Sequence, residues 1–518
     1  MILKITDASF RKIIIPAILF VLGLSLFTLQ SCRKKRTELA IELLKETNNK
    51  VFRDATPEGF SEAFKKVFDE EKSKIPNIAF IRMFYDQNDY EPVFLLDHLF
   101  NNDLSTAVDY FQKANEHGLN PEIFQAESLK TLITKFQTKK GIKTLKEGYD
   151  DMAKVEILAA SSLLNYSNAL LYGVVNPKKI YHRYFLATRT PDSVAMLQIF
   201  NLKNVKGYLD SIQPKYPQYL ALQKALASDT PGPGISSSET KRIIEVNLER
   251  LRWRNKPYQD KYVIVNIPDY TLNVIDSGRS VLKMKVCVGE GRNMKNQNTV
   301  LNYSDTARAD KPFARETPLL NSMIYSVEVN PVWNIPNSIA TKEIVVDAAK
   351  DRYYLANKNI EVYKNDKLIA NPEEIDWSKV TKRNIDDYEF KQKPGLDNAL
   401  GKIKFLFKNK SNVYLHDTPA KSAFLKAVRA VSHGCVRLGD PQGLALNLFG
   451  NGPKYKLIAE DMAKDKPDPT NIYLTKKTPV YITYMTCWAD ENNHIQYRQD
   501  VYGLDIVLYD SLKSYLLQ

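Results

Sequence analysis

The stretch VSHGCVRLGD, Val431 to Asp440, sets Cys435 between Gly434 and the pair Val436 and Arg437, with His433 inside the same stretch. A second histidine, His416, lies nineteen positions before the cysteine, in YLHDTP. A thiol becomes a good nucleophile at neutral pH when a nearby proton acceptor or positive charge favours its thiolate. The strand-like NVYLHD ends at His416, and the helical-looking TPAKSAFLKAVRAV with a return loop can carry Cys435 back beside that imidazole. Gly434 has no Cβ, so the backbone can approach a substrate closely. The amides of Gly434 and Cys435 can then form an oxyanion hole for a tetrahedral acyl intermediate. Arg437 adds a fixed positive charge, suited to a substrate carboxylate or to steadying the loop.

Other fates for Cys435 stay open on the residues alone. Zinc takes three or four ligands; His416, His433 and Cys435 supply three, but no CxxC or HExxH spacing accompanies them. A buried structural role is common for an isolated cysteine, yet Ser432, His433, Gly434 and Arg437 make a poor apolar flank. A papain-like protease uses the same pair of groups, but with the cysteine first and the histidine far downstream. The chain has four cysteines, Cys32, Cys287, Cys435 and Cys487. If Cys32 is consumed at the amino terminus, the odd remainder leaves at least one free thiol. Cys287 in VLKMKVCVG and Cys487 in VYITYMTCW read as small buried residues of strands.

The elements that must position these groups follow from periodicity. YVIVNIPDYTLNVI alternates, DSGR makes a hairpin turn and SVLKMKVCVG returns as the partner strand. Further strands are expected at MIYSVEVNPVW, KIKFLF, NVYLHD and PVYITYMTCW, with SIATKEIVVDAAKD as a helical interruption. From Thr37 to Ala227 the pattern is mostly helical instead. In MAKVEILAASSLLNYSNALLYG apolar residues recur at three and four residue steps, so Leu163, Leu164 and Leu170 are core, Gly173 is a C-cap and Pro177 follows it. SDTPGPGISSSET, residues 228–240, reads as a linker, because its prolines, glycines and serines suit neither a helix nor a central strand. The expected class is α+β.

The chain of 518 residues is long for one core, and 44% hydrophobic with 26% charged residues is ordinary for globular domains. A net charge of +13 suits a diffuse solvated surface, an anionic membrane or a carboxylate-rich polymer. No zinc finger or aromatic RNA-binding signature supports nucleic acid as a partner. At the amino terminus Lys4, Arg11 and Lys12 precede an apolar run from Ile13 to Leu29, then LQSC and RKKR. That order reads as an export signal, and LQSC resembles a bacterial lipobox, implying cleavage before Cys32 and lipid on Cys32. An uncleaved amino-terminal anchor is the alternative, and either reading puts the body outside the cytoplasm.

YLHDTP and SHGCVRL, with VNPVWNIP (Val329 to Pro336) and DNALGKIKF (Asp397 to Phe405), together resemble the L,D-transpeptidases with a YkuD-type catalytic domain. The resemblance is to the large periplasmic branch with a helical scaffold, and it runs over roughly residues 40–505. It implies a scaffold domain at 37–227, a predominantly β catalytic domain at 260–490 with a helical capping insertion at about 337–396, and a carboxy-terminal extension at 491–518. It implies acyl transfer on peptidoglycan stem peptides without a cofactor or metal. Cys435 would form a thioester with the donor stem and release D-Ala, with His416 as general base and then acid, and the side-chain amine of an acceptor stem would complete a 3-3 cross-link. By motif position Tyr414, Ser432, His433, Gly434 and Arg437 line the site. Asp417 orients the imidazole through its carbonyl or its side chain, and Trp333 stands beneath the groove or in contact with substrate. The implied setting is the periplasm, with envelope proteins as partners of the helical domain. In this chain the short linker stands where many members carry a peptidoglycan-binding module.

Overall fold

The computed structural model describes residues 36–138, 141–253, 259–291, 315–464 and 468–517. Cys32 with its lipobox, and residues 292–314, lie outside the described residues. Among the described residues, no helix is long and apolar enough to cross a membrane. The chain divides into two compact units, one of residues 1–112, 122–165 and 193–209, the other of 113–121, 166–192 and 210–518.

The first unit is helical. Thr56 caps Pro57–Glu71 by accepting from the Gly59 amide, and Phe60, Phe64, Val67 and Phe68 fall on its buried side. Leu145–Tyr172 ends at Gly173, whose φ of +82° is the left-handed stop its sequence suggests. Leu163, Leu164 and Leu170 are buried. Within the unit the Glu156 carboxylate is fully buried, and it accepts from the amides of Val93, Phe94 and Leu95 and from the Tyr85 hydroxyl. Four donors offset the cost of burying that group.

The second unit is built on a sheet. Its strands are β1 (Tyr184–Phe185), β2 (Tyr262–Asn266), β3 (Thr271–Asp276), β4 (Arg279–Gly289), β5 (Leu319–Val329), β10 (Ile403–Phe407), β11 (Leu415–His416), β12 (Ala430–Ser432), β13 (Val436–Leu438) and β14 (Thr470–Thr483). The order β1-β5-β10-β11-β13-β4-β3-β2-β14, with β14 also pairing β5, closes the sheet on itself. Inward positions such as Val263, Val265, Leu272, Val274, Val286, Phe405, Leu415 and Val436 fill one core. Closure removes the open sheet edges that would otherwise need protection.

Three local readings change. YVIVNIPDYTLNVI is two antiparallel strands, because Pro268 and Asp269 cannot continue a ladder and Tyr270 turns the chain at φ +53°. TPAKSAFLKAVRAV carries only a short tight helical turn, Lys421–Leu425, before β12. The 228–240 segment lies inside the second unit, and its serines start a helix: Ser236 accepts from the Glu239 amide and caps Ser237–Arg252. The 491–518 segment is likewise packed, with Leu504–Leu512 buried along most of its length. DSGR behaves as read, with Ser277 and Gly278 both at positive φ between β3 and β4.

Between β5 and β10 lies the insertion. It holds helices at Asn337–Ile339 and Val345–Lys350 and its own four-stranded sheet, β6 (Trp333–Ile335), β9 (Tyr388–Gln392), β7 (Ile360–Lys364) and β8 (Lys367–Leu368). A separate apolar cluster including Ile344, Val345, Val362, Trp377 and Phe390 fills it. Both stems are pinned by Asn398, whose amide donates to the carbonyls of Pro331, Gln392 and Lys393.

Candidate active site

Strand β11 sits between β10, antiparallel to it, and β13, parallel to it. The register pairs Lys404 with His416, Leu415 with Val436 and His416 with Arg437. Side chains alternate along a strand, so Leu415, Val436 and Phe405 enter the core, while Tyr414, His416, Cys435, Arg437 and Lys404 share the other face. Pairing of β10 with β5 extends this polar row to Glu328. Lys404 Nζ and Glu328 form an ion pair at 2.8 Å, and the ammonium lies 5.7 Å from the centre of the Tyr414 ring.

Tyr414 lies opposite Cys435 across the pairing of β11 with β13, and its backbone and hydroxyl both favour the thiolate. Burial pushes the Cys435 thiol up to about 11, against the opposing pull of Tyr414, Arg437 and Lys404. His416 is buried and held down to about 4, first by burial and then by the Arg437 charge. The site therefore rests at neutral pH as a thiol and a neutral imidazole. His416 stands one step beyond Tyr414 on the same strand face. Its Nδ1 is 2.5 Å from the Asp417 carbonyl, so the Nδ1–H tautomer leaves Nε2 as the basic nitrogen.

The Asp417 side chain is committed elsewhere. Its carboxylate accepts from the Lys402 amide at 2.9 Å and from Lys421 Nζ at 2.6 Å. Orientation of the imidazole thus falls to backbone carbonyls, that of Asp417 first and that of Leu400 beside it. Gly401, at φ +62°, lies so close to this aspartate that a Cβ there would stand 2.4 Å from its carboxylate oxygen.

The loop before β13 corrects one expectation. The Gly434 amide donates to Ser432 Oγ at 3.1 Å, and that hydroxyl donates to the Cys435 carbonyl at 2.5 Å. Gly434 N–H is therefore engaged in bracing the loop and is not a free donor in this arrangement. Gly434 itself adopts φ +119°, a conformation that favours glycine. His433 turns toward the insertion, with Nε2 2.6 Å from the Glu343 carboxylate. Glu343 also binds Arg315, which reaches Glu290 with its other nitrogen. Trp333 pairs with Gln392 in the insertion sheet and packs on the insertion's core. Cys287 and Cys487 are buried, as their strand contexts suggest.

Further supports carried no signal in the sequence. Thr317 Oγ1 donates to the Gly434 carbonyl at 2.8 Å and accepts from the Gly289 amide at 2.8 Å. Tyr502, in the carboxy-terminal segment, accepts from the Thr317 amide at 3.1 Å and donates to the Gly289 carbonyl at 2.9 Å. Removing the phenol oxygen in Tyr502→Phe leaves two buried backbone groups unpaired. This is expected to cost about 1–3 kcal/mol and to slow any reaction at Cys435, as read by thermal unfolding and thiol acylation.

Residues 260–482 match the family model described as the L,D-transpeptidase catalytic domain, YkuD. This segment is similar to L,D-transpeptidase catalytic domains. Residues 79–226 match the model described as a scaffold domain. A curated protein of Haemophilus influenzae named "Putative L,D-transpeptidase" is 28% identical over 290 residues, covering 55% of this chain and 53% of that protein. The chain thus spans about half the length of that relative. A solved L,D-transpeptidase from Mycobacterium smegmatis is 12% identical over 43% of this chain and 58% of that one, with a TM-score of 0.19, too low to speak for the fold. Within the matched segment lie Tyr414, His416, Cys435 and Arg437, whereas Tyr502 stands beyond it.

Proposed function

We propose that the chain is a peptidoglycan L,D-transpeptidase working through a thioester on Cys435. The observation that carries this is the row of Tyr414, His416, Cys435 and Arg437 on one sheet face inside the matched catalytic domain. In acylation His416 Nε2 takes the thiol proton as Sγ attacks the carbonyl of the donor's third residue. The Cys435 amide stabilises the oxyanion. Collapse breaks the L,D peptide bond, and the protonated imidazole returns its proton to the departing D-Ala amine. In the second half the side-chain amine of an acceptor stem attacks the thioester, His416 accepts that amine's proton, and the thiol reforms with a 3-3 cross-link made. Arg437 offers its charge to a stem carboxylate.

The test is mass spectrometry of tetrapeptide muropeptides incubated with the protein. Cross-linked dimers and released D-Ala are expected; tripeptide monomers without dimers would make water the acceptor. A carbapenem is expected to acylate Cys435 stoichiometrically by the same route. From the amino-terminal motif we infer a periplasmic location with lipid on Cys32, an uncleaved amino-terminal anchor being the alternative, and envelope proteins as partners of the helical domain. Metabolic labelling with a radioactive fatty acid should therefore mark the wild type and not Cys32→Ser. Equal labelling of both would sink the lipoprotein assignment.

A further inference from the structure

Away from Cys435 the second unit carries a cleft of about 690 Å³, bounded by the start of β3, by β4, by residues 427–429 and by the segment from Trp488 to Gln499. A volume of this order is that of a small-ligand site. Four cations line it: Lys283, Lys285, Arg429 and Arg498. Lys283 and Lys285 are exposed and alternate with buried Met284 and Val286, so both point out of the core into the cleft.

The charge balance inside is one-sided. Asp269 is taken by Arg498 Nε at 2.7 Å and by the Thr271 hydroxyl at 2.6 Å. Asp490 accepts from the amides of Asn492 and His494 and from the Gln496 side chain. Arg429 is only 9% exposed, yet its three hydrogen bonds run to the neutral carbonyls of Val286, Lys426 and Tyr270. Among the described residues no carboxylate pairs with Arg429, Lys283 or Lys285; Lys285 reaches only the Phe424 carbonyl, at 3.5 Å. Asp269 is the carboxylate whose charge acts on Arg429, and it is already bonded to Arg498 and Thr271, so four cations face two engaged carboxylates and an anion in the cleft would add to that balance. Aromatic rings stand beside the cations: Arg429 lies 5.2 Å from the centre of the Tyr270 ring and Arg498 4.9 Å from that of Trp488. The exposed ammonium groups of Lys283 and Lys285 beside Arg429 and the cleft's aromatic edge suit a hydroxylated ring that bears a negative charge.

We propose that this cleft is a second binding site, for an acidic sugar, separate from the Cys435 site. None of its lining residues belongs to the catalytic row. Its connection to that row is through the chain: Arg429 leads directly into β12, and its carbonyl accepts from the Val288 amide at 2.9 Å. The shared ligand chemistry is an anionic sugar ring, whose charge comes either from the carboxylate of a wall glycan or from a sugar phosphate. Binding of the first kind would hold the catalytic domain, without a separate binding module, on stretches of glycan whose acidic groups carry no stem peptide.

The experiment is titration calorimetry on the full chain carrying Cys435→Ala, so that nothing turns over. The probes are N-acetylmuramic acid, neutral N-acetylglucosamine, glucose 6-phosphate and inorganic phosphate. N-acetylmuramic acid is expected to bind at least tenfold more tightly than N-acetylglucosamine. The double substitution Lys283→Glu with Lys285→Glu should weaken it at least tenfold, while the melting temperature holds because both lysines are exposed. Tighter binding of glucose 6-phosphate would support the site and assign its charge to phosphate. Equal affinity for the neutral and acidic sugars, inorganic phosphate binding as tightly as either acidic sugar, or no effect of charge reversal would each overturn the proposal. Should the double variant misfold, Lys283→Gln provides the same comparison with a smaller expected loss. Acidic-sugar binding by a protein whose wild type never acylates a stem would leave this site standing and sink the transpeptidase reading instead.

Discussion

Cys435→Ala forms no acyl-enzyme with a tetrapeptide stem or a carbapenem, and His416→Ala acylates about 10²- to 10⁴-fold more slowly, the range typical of a lost general base. His433→Ala retains most of the reaction, because that ring faces Glu343 of the insertion. The pH profile separates this arrangement from a preformed ion pair. With the thiol raised to about 11 and the imidazole lowered to about 4, the competent neutral pair is populated across the whole interval between. Acylation followed by intact mass should therefore be level from about pH 5 to 9 and fall roughly tenfold per unit below about 4. An acid limb centred on the ordinary imidazole value of 6.5, in protein still folded, would contradict it. Folding must be followed in parallel, since the same residue links stability to pH. The folded imidazole binds its proton less readily than the unfolded one. Its contribution is thus fully present above about 6.5 and is lost as pH falls through about 4.

Gly401→Ala should damage both stability and acylation. The left-handed backbone alone costs an L residue about 1–2 kcal/mol. At Gly401 the new methyl would also stand 2.4 Å from the Asp417 carboxylate and 2.6 Å from its Cβ, too near the backbone to be relieved by turning the side chain. Asp417 would have to shift, and its carbonyl is what holds His416 Nδ1. Gly278→Ala is the control, with φ +80° and nothing within 4 Å of the added carbon. It should lose stability by the backbone cost and keep its acylation rate. If the two variants acylate alike, the role given to the Asp417 carbonyl fails.

Much of this site was legible as motif. YLHDTP and SHGCVRL singled out His416, Cys435 and Arg437, the resemblance they carry implied Tyr414, and the paired strands put all four on one face by alternation. VNPVWNIP and DNALGKIKF were legible only as landmarks. Their work is to pin the insertion: the Asn330 amide donates to the Lys402 carbonyl at 2.8 Å, and Asn398 holds both stems. Lys404 and Glu328 escaped notice because each is an ordinary charged residue in its own strand, and only register sets them beside His416.

By itself the sequence determined the α+β class, since helical and alternating periodicities are local, and through its motifs it singled out Cys435 and His416 as candidates. The tertiary structure decided which groups are already spent. Ser432 consumes the Gly434 amide, Lys402 and Lys421 consume the Asp417 carboxylate, and Tyr502 reaches back from the far end of the chain to brace Thr317. Hydrogen-bond partners and burial are set by residues brought together from distant stretches of chain, so no window of sequence contains them.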